Sequence, residues 1–179
     1  MKKLNKDLLQ IREATIEDAH FLAEFGKNTF LEAYSYDENE ENTALHLLQN
    51  FNPERIETEI RGGNVIFLIA ELELKPIGYA KLIKYLKPQF NLPYEGDYME
   101  INKVYIQKEY IGCGVGQELI GNIIQRAEKE HIEVLWLVVW ADNAKAISFY
   151  KKFRFSIQGF HPFQFGKETF QDLLMTKKL

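Results

Sequence analysis

Residues 105–118 read Y-I-Q-K-E-Y-I-G-C-G-V-G-Q-E, a β-type run that breaks into three alternating glycines and then becomes helical. A glycine-rich turn at a helix N-terminus can hold a phosphate without a metal, because bare backbone N–H groups and the positive end of the helix dipole face the anion. Gly112, Gly114 and Gly116 remove side chains that would block this approach, and they tolerate positive φ. Many such turns bind nothing, so the function of this one depends on the rest of the chain.

The composition is that of one ordinary globular domain covering residues 1–179, with 46% apolar and 27% charged residues. No window approaches the roughly 20 apolar residues that cross a bilayer, so we expect no membrane partner. The single cysteine, Cys113, excludes an internal disulfide and indicates a reducing, cytoplasmic compartment. The net charge of −4 argues against nucleic acid as a partner and is compatible with a cationic substrate.

Hydrophobic periodicity predicts twelve elements in the order β-α-α-α-β-β-β-α-β-α-β-β. Thr15 is the expected N-cap of the first helix, with Asp18 in the capping-box position. This order predicts an α/β sheet that is antiparallel in its first half and parallel where the glycine helix crosses over. The predicted strands cover about 10–13, 65–72, 77–86, 98–107, 134–140, 155–160 and 169–176, and the helices cover about 16–33, 40–49, 53–61, 115–131 and 144–152.

A second stretch, residues 140–155, reads W-A-D-N-A-K-A-I-S-F-Y-K-K-F-R-F. Together with the glycine turn, it resembles the GNAT superfamily of N-acetyltransferases, which show a strand, a Q/R-x-x-G-x-G/A turn and, later, N-x-x-A-x-x-F-Y before a G-F strand start. The resemblance extends over the whole chain and implies a mixed sheet of six to seven strands flanked by helices. Two positions depart from the pattern, because Ile111 replaces Gln or Arg and Arg154 replaces Gly.

Four further segments, residues 28–34, 40–51, 134–140 and 171–178, resemble the bacterial spermine/spermidine acetyltransferases of the PaiA type. The resemblance implies acetyl transfer from acetyl-CoA, used as co-substrate without a metal, to a primary amine, with a polyamine as one acceptor. It also implies a homodimer through the C-terminal strands, which is usual among such relatives.

The resemblance also assigns a cofactor site. The glycine turn would hold the pyrophosphate, and the pantetheine arm would pair with the main chain of the preceding strand. Asn143, the expected N-cap of the helix at 144–152, would contact the cofactor. Tyr150, which lies two helical turns later on the same face, would be the general acid near the departing sulfur. The predicted cofactor residues are Val104, Tyr105, Ile106, Gly112, Cys113, Gly114, Val115, Gly116, Gln117, Asn143 and Tyr150.

Acetyl transfer also requires that the acceptor amine be neutral. The unperturbed pKa of a lysine-like ammonium group is about 10, so a base must remove its proton. We expect Glu100, on the cofactor-bearing strand, to be the general base through a water molecule, although it could equally be an ordinary strand carboxylate. Strict alternation places Glu100, Asn102, Val104 and Ile106 on one face, and Met99, Ile101, Lys103 and Tyr105 on the other.

The acceptor side is predicted from the first helix. Glu32 and Tyr34 are candidate substrate residues, because substrates of the family lie against the first helices. A solvated carboxylate and a helix-end aromatic are the simpler interpretations of these two residues. The acidic run at residues 37–41 could attract a polyamine, although a solvated charge run is the more ordinary interpretation.

Other interpretations fit the glycine turn less well. A dinucleotide-binding turn needs G-x-G-x-x-G, and a P-loop needs G-K-[S/T]; neither pattern is present. Cys113 has no His or Asp near it in sequence, and the four histidines show no metal spacing. The remaining alternative is a catalytically silent domain that binds acetyl-CoA and regulates a partner. Polyamine, protein N-terminus, aminoglycoside and other small amines stay open as acceptors.

Overall fold

The computed structural model describes residues 4–34, 40–165 and 167–179, except for the side chains of Lys6, Ala33 and Tyr34. The strands in these ranges are β1 Leu9–Glu13, β2 Val65–Leu72, β3 Lys75–Lys84, β4 Tyr98–Ile106, β5 Val134–Val139, β6 Ser156–Phe165 and β7 Glu168–Lys178. The α-helices are α1 Ala19–Tyr34, α2 Glu40–Asn50, α3 Pro53–Gly62, α4 Val115–Lys129 and α5 Ala144–Lys152. Within the described ranges, no helix has the length and apolar character that a membrane span requires.

The strands form one seven-stranded sheet in the order β1-β2-β3-β4-β5-β7-β6. Every neighbouring pair is antiparallel except β4 and β5, which are parallel and are connected through α4. The predicted mixed sheet, with an antiparallel first half and a parallel central crossover, is therefore confirmed. The largest difference is at the C-terminus, where β6 extends five residues beyond the predicted 160 because it pairs with β7 along its full length.

Helices cover both faces of the sheet. The apolar stripe of α4, which includes Val115, Leu119 and Ile123, is fully buried against one face. On the other face, Leu22 of α1 and Ile56 of α3 pack against the sheet. The sheet is thus buried on both faces, which explains the continuous apolar run of β5.

The entry into the first helix is built as predicted. The backbone N–H of Thr15 donates to Asp18 Oδ2 at 2.8 Å, and Thr15 is the N-cap of a short 3-10 turn that leads into α1. Arg12 of β1 donates to both carboxylate oxygens of Asp18 at 2.8 Å, and its Nε donates to Glu71 of β2 at 2.9 Å. The start of α1 is therefore bound to the edge of the sheet.

A β-bulge interrupts β4. Lys103 lies opposite Lys81 of β3, but Ile101 lies opposite the next residue, Leu82, so Asn102 is an extra residue without a counterpart. A bulge of this kind reverses the facing of all residues that follow it. The prediction of strict alternation along β4 is therefore wrong.

The consequence is a new set of neighbours on each face of β4. Ile101 before the bulge and Val104 after it both pack against the core under α4. Glu100 alternates with Ile101 and so lies on the opposite face, the one that carries Lys103 and Tyr105. Glu100 and Lys103, which the sequence pattern separates, share one face because of the bulge.

Candidate active site

A cavity of about 640 Å³ lies where β4 and β5 part. Residues Tyr98 to Glu100 of β4 pair with Val134 to Trp136 of β5. Beyond these pairs the two strands separate, and the cavity lies between the residues that follow on each strand. Several predicted site residues line this one cavity: Glu100, Val104, Tyr105, Asn143 and Tyr150.

The glycine turn ends at the N-terminus of α4. Gly112 and Gly114 have φ of 81° and 100°, in the left-handed region that glycine enters without strain. The first helical N–H groups to find an acceptor belong to Gln117 and Glu118, which donate to the Gly114 carbonyl at 3.0 and 3.1 Å. The N–H groups just before them lie at the open end of the helix, where an anion binds.

The space around Gly112 is open. A Cβ added at Gly112 would meet no heavy atom within 4 Å, so the backbone there is open to a ligand. Ile111, at the position where a Gln or Arg was expected, is 65% exposed. Gly116 has a different role, because a Cβ there would lie 3.3 Å from both Ile106 and Phe149. Its missing side chain allows α4 to pack closely against β4 and α5.

Asn143 and Tyr150 lie at opposite ends of α5 and both line the cavity. The Oδ1 atom of Asn143 accepts the N–H of Ala146 at 3.0 Å, which confirms the predicted N-cap. The Tyr150 ring packs against Phe149 and Phe155, with ring centroids 5.3 and 5.7 Å away. Burial raises the pKa of Tyr150 to about 12, so its phenol keeps its proton at neutral pH.

The bulge of β4 carries a chain of polar side chains along another wall of the cavity. Glu100 Oε1 accepts a hydrogen bond from Asn102 Nδ2 at 2.9 Å, and Asn102 Oδ1 accepts one from Lys103 Nζ at 3.2 Å. Lys103 Nζ also donates to Asn50 Oδ1 of α2 at 3.2 Å. Burial raises the pKa of Glu100 and lowers the pKa of Lys103 to about 8.

Two histidines complete this part of the cavity. His46 stacks on Phe30 at 4.6 Å, and burial, aided by the charge of Lys103, lowers the pKa of His46 to about 4. The Nδ1 atom of His161 lies 2.8 Å from the Pro162 carbonyl, so Nδ1 carries the proton and Nε2 is left as an acceptor. Within the described ranges, His161 Nε2 is buried and has no hydrogen-bond partner.

Comparison with known proteins places this geometry in a family. Residues 23–155 match the Acetyltransferase (GNAT) family, which covers well over half of the chain. The chain belongs to the GNAT family of acetyltransferases. GNAT enzymes use acetyl-CoA, so the predicted enzyme class, an acetyl-CoA-dependent acyltransferase, is confirmed.

Individual relatives agree with this placement. An uncharacterized N-acetyltransferase of Lactobacillus delbrueckii subsp. lactis is 25% identical over 96% of both chains. The solved structure of the PaiA N-acetyltransferase from Thermoplasma acidophilum, a complex with coenzyme A, has a TM-score of 0.75 and 22% identity, covering 96% of this chain and 99% of that one. A ribosomal-protein-alanine N-acetyltransferase from Brucella melitensis has a TM-score of 0.66 and 25% identity, covering 95% of this chain and 99% of that one.

Some predicted residues of the GNAT site lie elsewhere. Glu32 is exposed on α1, and the described residues that line the cavity do not include it. The Tyr34 side chain and residues 37–39 of the acidic run lie outside the described residues. Cys113 and the rest of the glycine turn are likewise outside the described cavity lining. In the described part of the chain, no group of three or more His, Cys, Asp or Glu side chains could hold a metal.

The sequence pattern does not predict the polar wall of this GNAT cavity. Asn50, Lys103 and His161 come from α2, β4 and β6, so their proximity depends on long-range packing. The one local signal is the run Glu100-Ile101-Asn102-Lys103, in which two consecutive polar residues follow Ile101. Such a run is compatible with an unbroken strand as well as with a bulge.

Proposed function

We propose that this GNAT protein is an N-acetyltransferase that moves the acetyl group of acetyl-CoA directly to a primary amine held in the cavity between β4 and β5. The observation that carries the proposal is that Tyr150, a half-buried phenol whose raised pKa keeps it protonated, and Glu100, a half-buried carboxylate, line the same cavity. Direct transfer needs a proton acceptor for the amine and a proton donor for the departing sulfur, and these two groups supply them.

Acetyl-CoA, when bound, supplies the acetyl thioester. The open N–H groups at the start of α4, from Gly114 to Gly116, would bind its pyrophosphate, as the left-handed glycines and the open space at Gly112 support. The backbone of β4 from Val104 to Ile106 would orient the pantetheine arm, because β5 no longer pairs with β4 there. Asn143 would contact the cofactor from the start of α5.

In the reaction the amine nitrogen forms the new bond to the acetyl carbon while the C–S bond breaks. Glu100 would accept the amine proton through water, and its raised pKa brings it closer to the pH at which a general base is most effective. His161 Nε2 is a second proton acceptor on the same cavity. Tyr150 would give its proton to the leaving sulfur.

Three further features complete the proposal. A polyamine is the acceptor implied by the sequence resemblance, and it would use the carboxylates of Glu100 and Asp172 in the cavity lining. A homodimer through β6 and β7 is supported by Phe160 and Phe170, which are 61% and 46% exposed on these strands. A cytoplasmic location is supported by the single cysteine of the sequence, Cys113, which cannot form an internal disulfide.

The proposal is tested by incubating the purified protein with acetyl-CoA and a panel of primary amines, and by following free CoA with a thiol reagent. We expect release that depends on the amine and exceeds the rate without an amine. At saturating acetyl-CoA a Cys113→Ala variant should keep its turnover, since direct transfer needs no enzyme thiol. Tight binding of acetyl-CoA without amine-dependent release would contradict the proposal and support a silent binding domain.

A further inference from the structure

Lys103 is a cation on the cavity wall that is bound to neutral groups. Its Nζ atom donates to the amide oxygens of Asn50 and Asn102, each at 3.2 Å. Among the ion pairs of the described residues, none includes Lys103, so no described carboxylate lies within 4.0 Å of its nitrogen. A lysine ammonium carries three N–H donors, and these two amides account for two of them; the ring of Phe51, whose centroid lies 5.8 Å from Nζ, is a further neutral neighbour.

The charges around Lys103 leave its own charge without a close counterion. Its charged neighbours are Lys81, Arg55, Glu59 and Glu100. Glu59 forms ion pairs with Lys81 at 2.7 Å and with Arg55 at 3.2 Å, so it is engaged by two other cations. Glu100 is held by the amide of Asn102 instead of by Lys103. A partly buried cation with only neutral hydrogen-bond partners is stabilised when an anion joins it.

The rest of the cavity is largely aromatic on the same side. Phe30 and Phe165 are buried in its wall, and Phe163 and Trp136 extend it. These rings can hold an apolar frame, and the carboxylates of the described lining are limited to those of Glu100 and Asp172. A polyamine entering here would bring its additional positive charges toward Lys103.

We propose that the natural acceptor is an amino carboxylate, and not the polyamine that the sequence resemblance implies. Such an acceptor is a small molecule with a primary amine and a carboxylate on an apolar frame, and its carboxylate binds Lys103 Nζ beside Asn50. This inference rests on the proposed function and names the substrate class of the same site. The amine then lies toward Glu100 and the opening between β4 and β5, while the apolar frame contacts the aromatic wall.

The test compares matched acceptors that differ only in the carboxylate. L-leucine, L-phenylalanine and L-tryptophan are each paired with their amides, and spermidine is included. The decisive quantity is kcat/KM for the acid divided by kcat/KM for its amide. This ratio is compared between the wild type and Lys103→Met. The acid and the amide have different amine pKa values, but this difference is the same for both proteins and cancels in the comparison. We expect Lys103→Met to lower this ratio by about 10- to 100-fold, the loss of one charge-assisted hydrogen bond. Lys129→Met, at an exposed position on α4, is the control and should leave the ratio unchanged.

A binding measurement separates this inference from the proposed function. Amino acids that bind should raise the melting temperature of the wild type and of Lys129→Met but not that of Lys103→Met, even if no acceptor in the panel is acetylated. An unchanged acid-to-amide ratio in Lys103→Met, or stabilisation by spermidine and not by any amino acid, would overturn the inference. Failure of the proposed function would instead appear as amino acid binding without any release of CoA.

Discussion

Replacing Tyr150 by Phe removes one hydroxyl from the cavity and leaves the packing of the ring in place. The ring contacts with Phe149 and Phe155, at 5.3 and 5.7 Å, do not involve the hydroxyl, so we expect the free energy of unfolding to change by less than about 1 kcal/mol. If the phenol protonates the departing sulfur, the loss of this general acid should lower kcat about 10²- to 10⁴-fold. This range corresponds to about 3–5 kcal/mol of transition-state stabilisation.

The pH dependence adds a sharper expectation. Burial raises the pKa of Tyr150 to about 12, so the phenol is protonated throughout the neutral range and stops donating only as the pH approaches that value. The deficit of Tyr150→Phe should therefore be nearly constant between about pH 6 and pH 9, because a group with this pKa hardly titrates there.

The assay measures CoA release at saturating acetyl-CoA, together with CoA binding by calorimetry. Tyr85→Phe is the matched control, because Tyr85 is 53% exposed beyond the end of β3 and does not line the cavity. We expect unchanged CoA affinity in both variants and slow turnover in Tyr150→Phe alone. A Tyr150→Phe rate within about threefold of the wild type, with CoA binding intact, would refute Tyr150 as the general acid.

Three further predictions follow from the geometry. Burial raises the pKa of Glu100, so the ionised base is lost as pH falls through a value above the usual 4.5. Glu100→Gln should abolish this acid limb of kcat/KM and slow turnover at neutral pH, and a limb that persists would contradict Glu100 as the base. Asn143→Ala should lower the free energy of unfolding by about 1 kcal/mol in urea, while Asn143→Ser retains most of the helix cap; equal losses would contradict the capping role. Leu74 has φ of 64° in the turn between β2 and β3 and is 80% exposed, so Leu74→Gly should raise stability by about 0.5–1 kcal/mol, and a lower melting temperature would contradict this expectation.

Much of the fold could be predicted because its signals are local. The periodicity of α4, the capping residues Thr15 and Asn143 and the alternating glycines each act within one or two turns of chain. At position 154 the local turn is kept although Arg154 stands where glycine is usual. Its φ of 65° keeps the left-handed turn that glycine usually supplies before β6.

The candidate acceptor site could not be predicted in the same way. The bulge at Asn102 depends on the register between β4 and β3, which the sequence of β4 alone does not specify. Without the bulge, Lys103 and Glu100 would lie on opposite faces of the sheet. Asn50 and His161 reach the same cavity from distant parts of the chain, so only tertiary packing brings them to Lys103 and Glu100.

In the proposed site, acetyl-CoA lies in the opening between β4 and β5, with its pyrophosphate at the glycine turn and its sulfur near Tyr150, the proton donor on α5. A crystal structure of the complex with CoA tests it most directly. We expect the pyrophosphate on the N–H groups of Gly114–Gly116 and the sulfur within hydrogen-bonding reach of the Tyr150 hydroxyl. A pyrophosphate bound away from the glycine turn, or a sulfur outside the cavity that Tyr150 lines, would contradict the account.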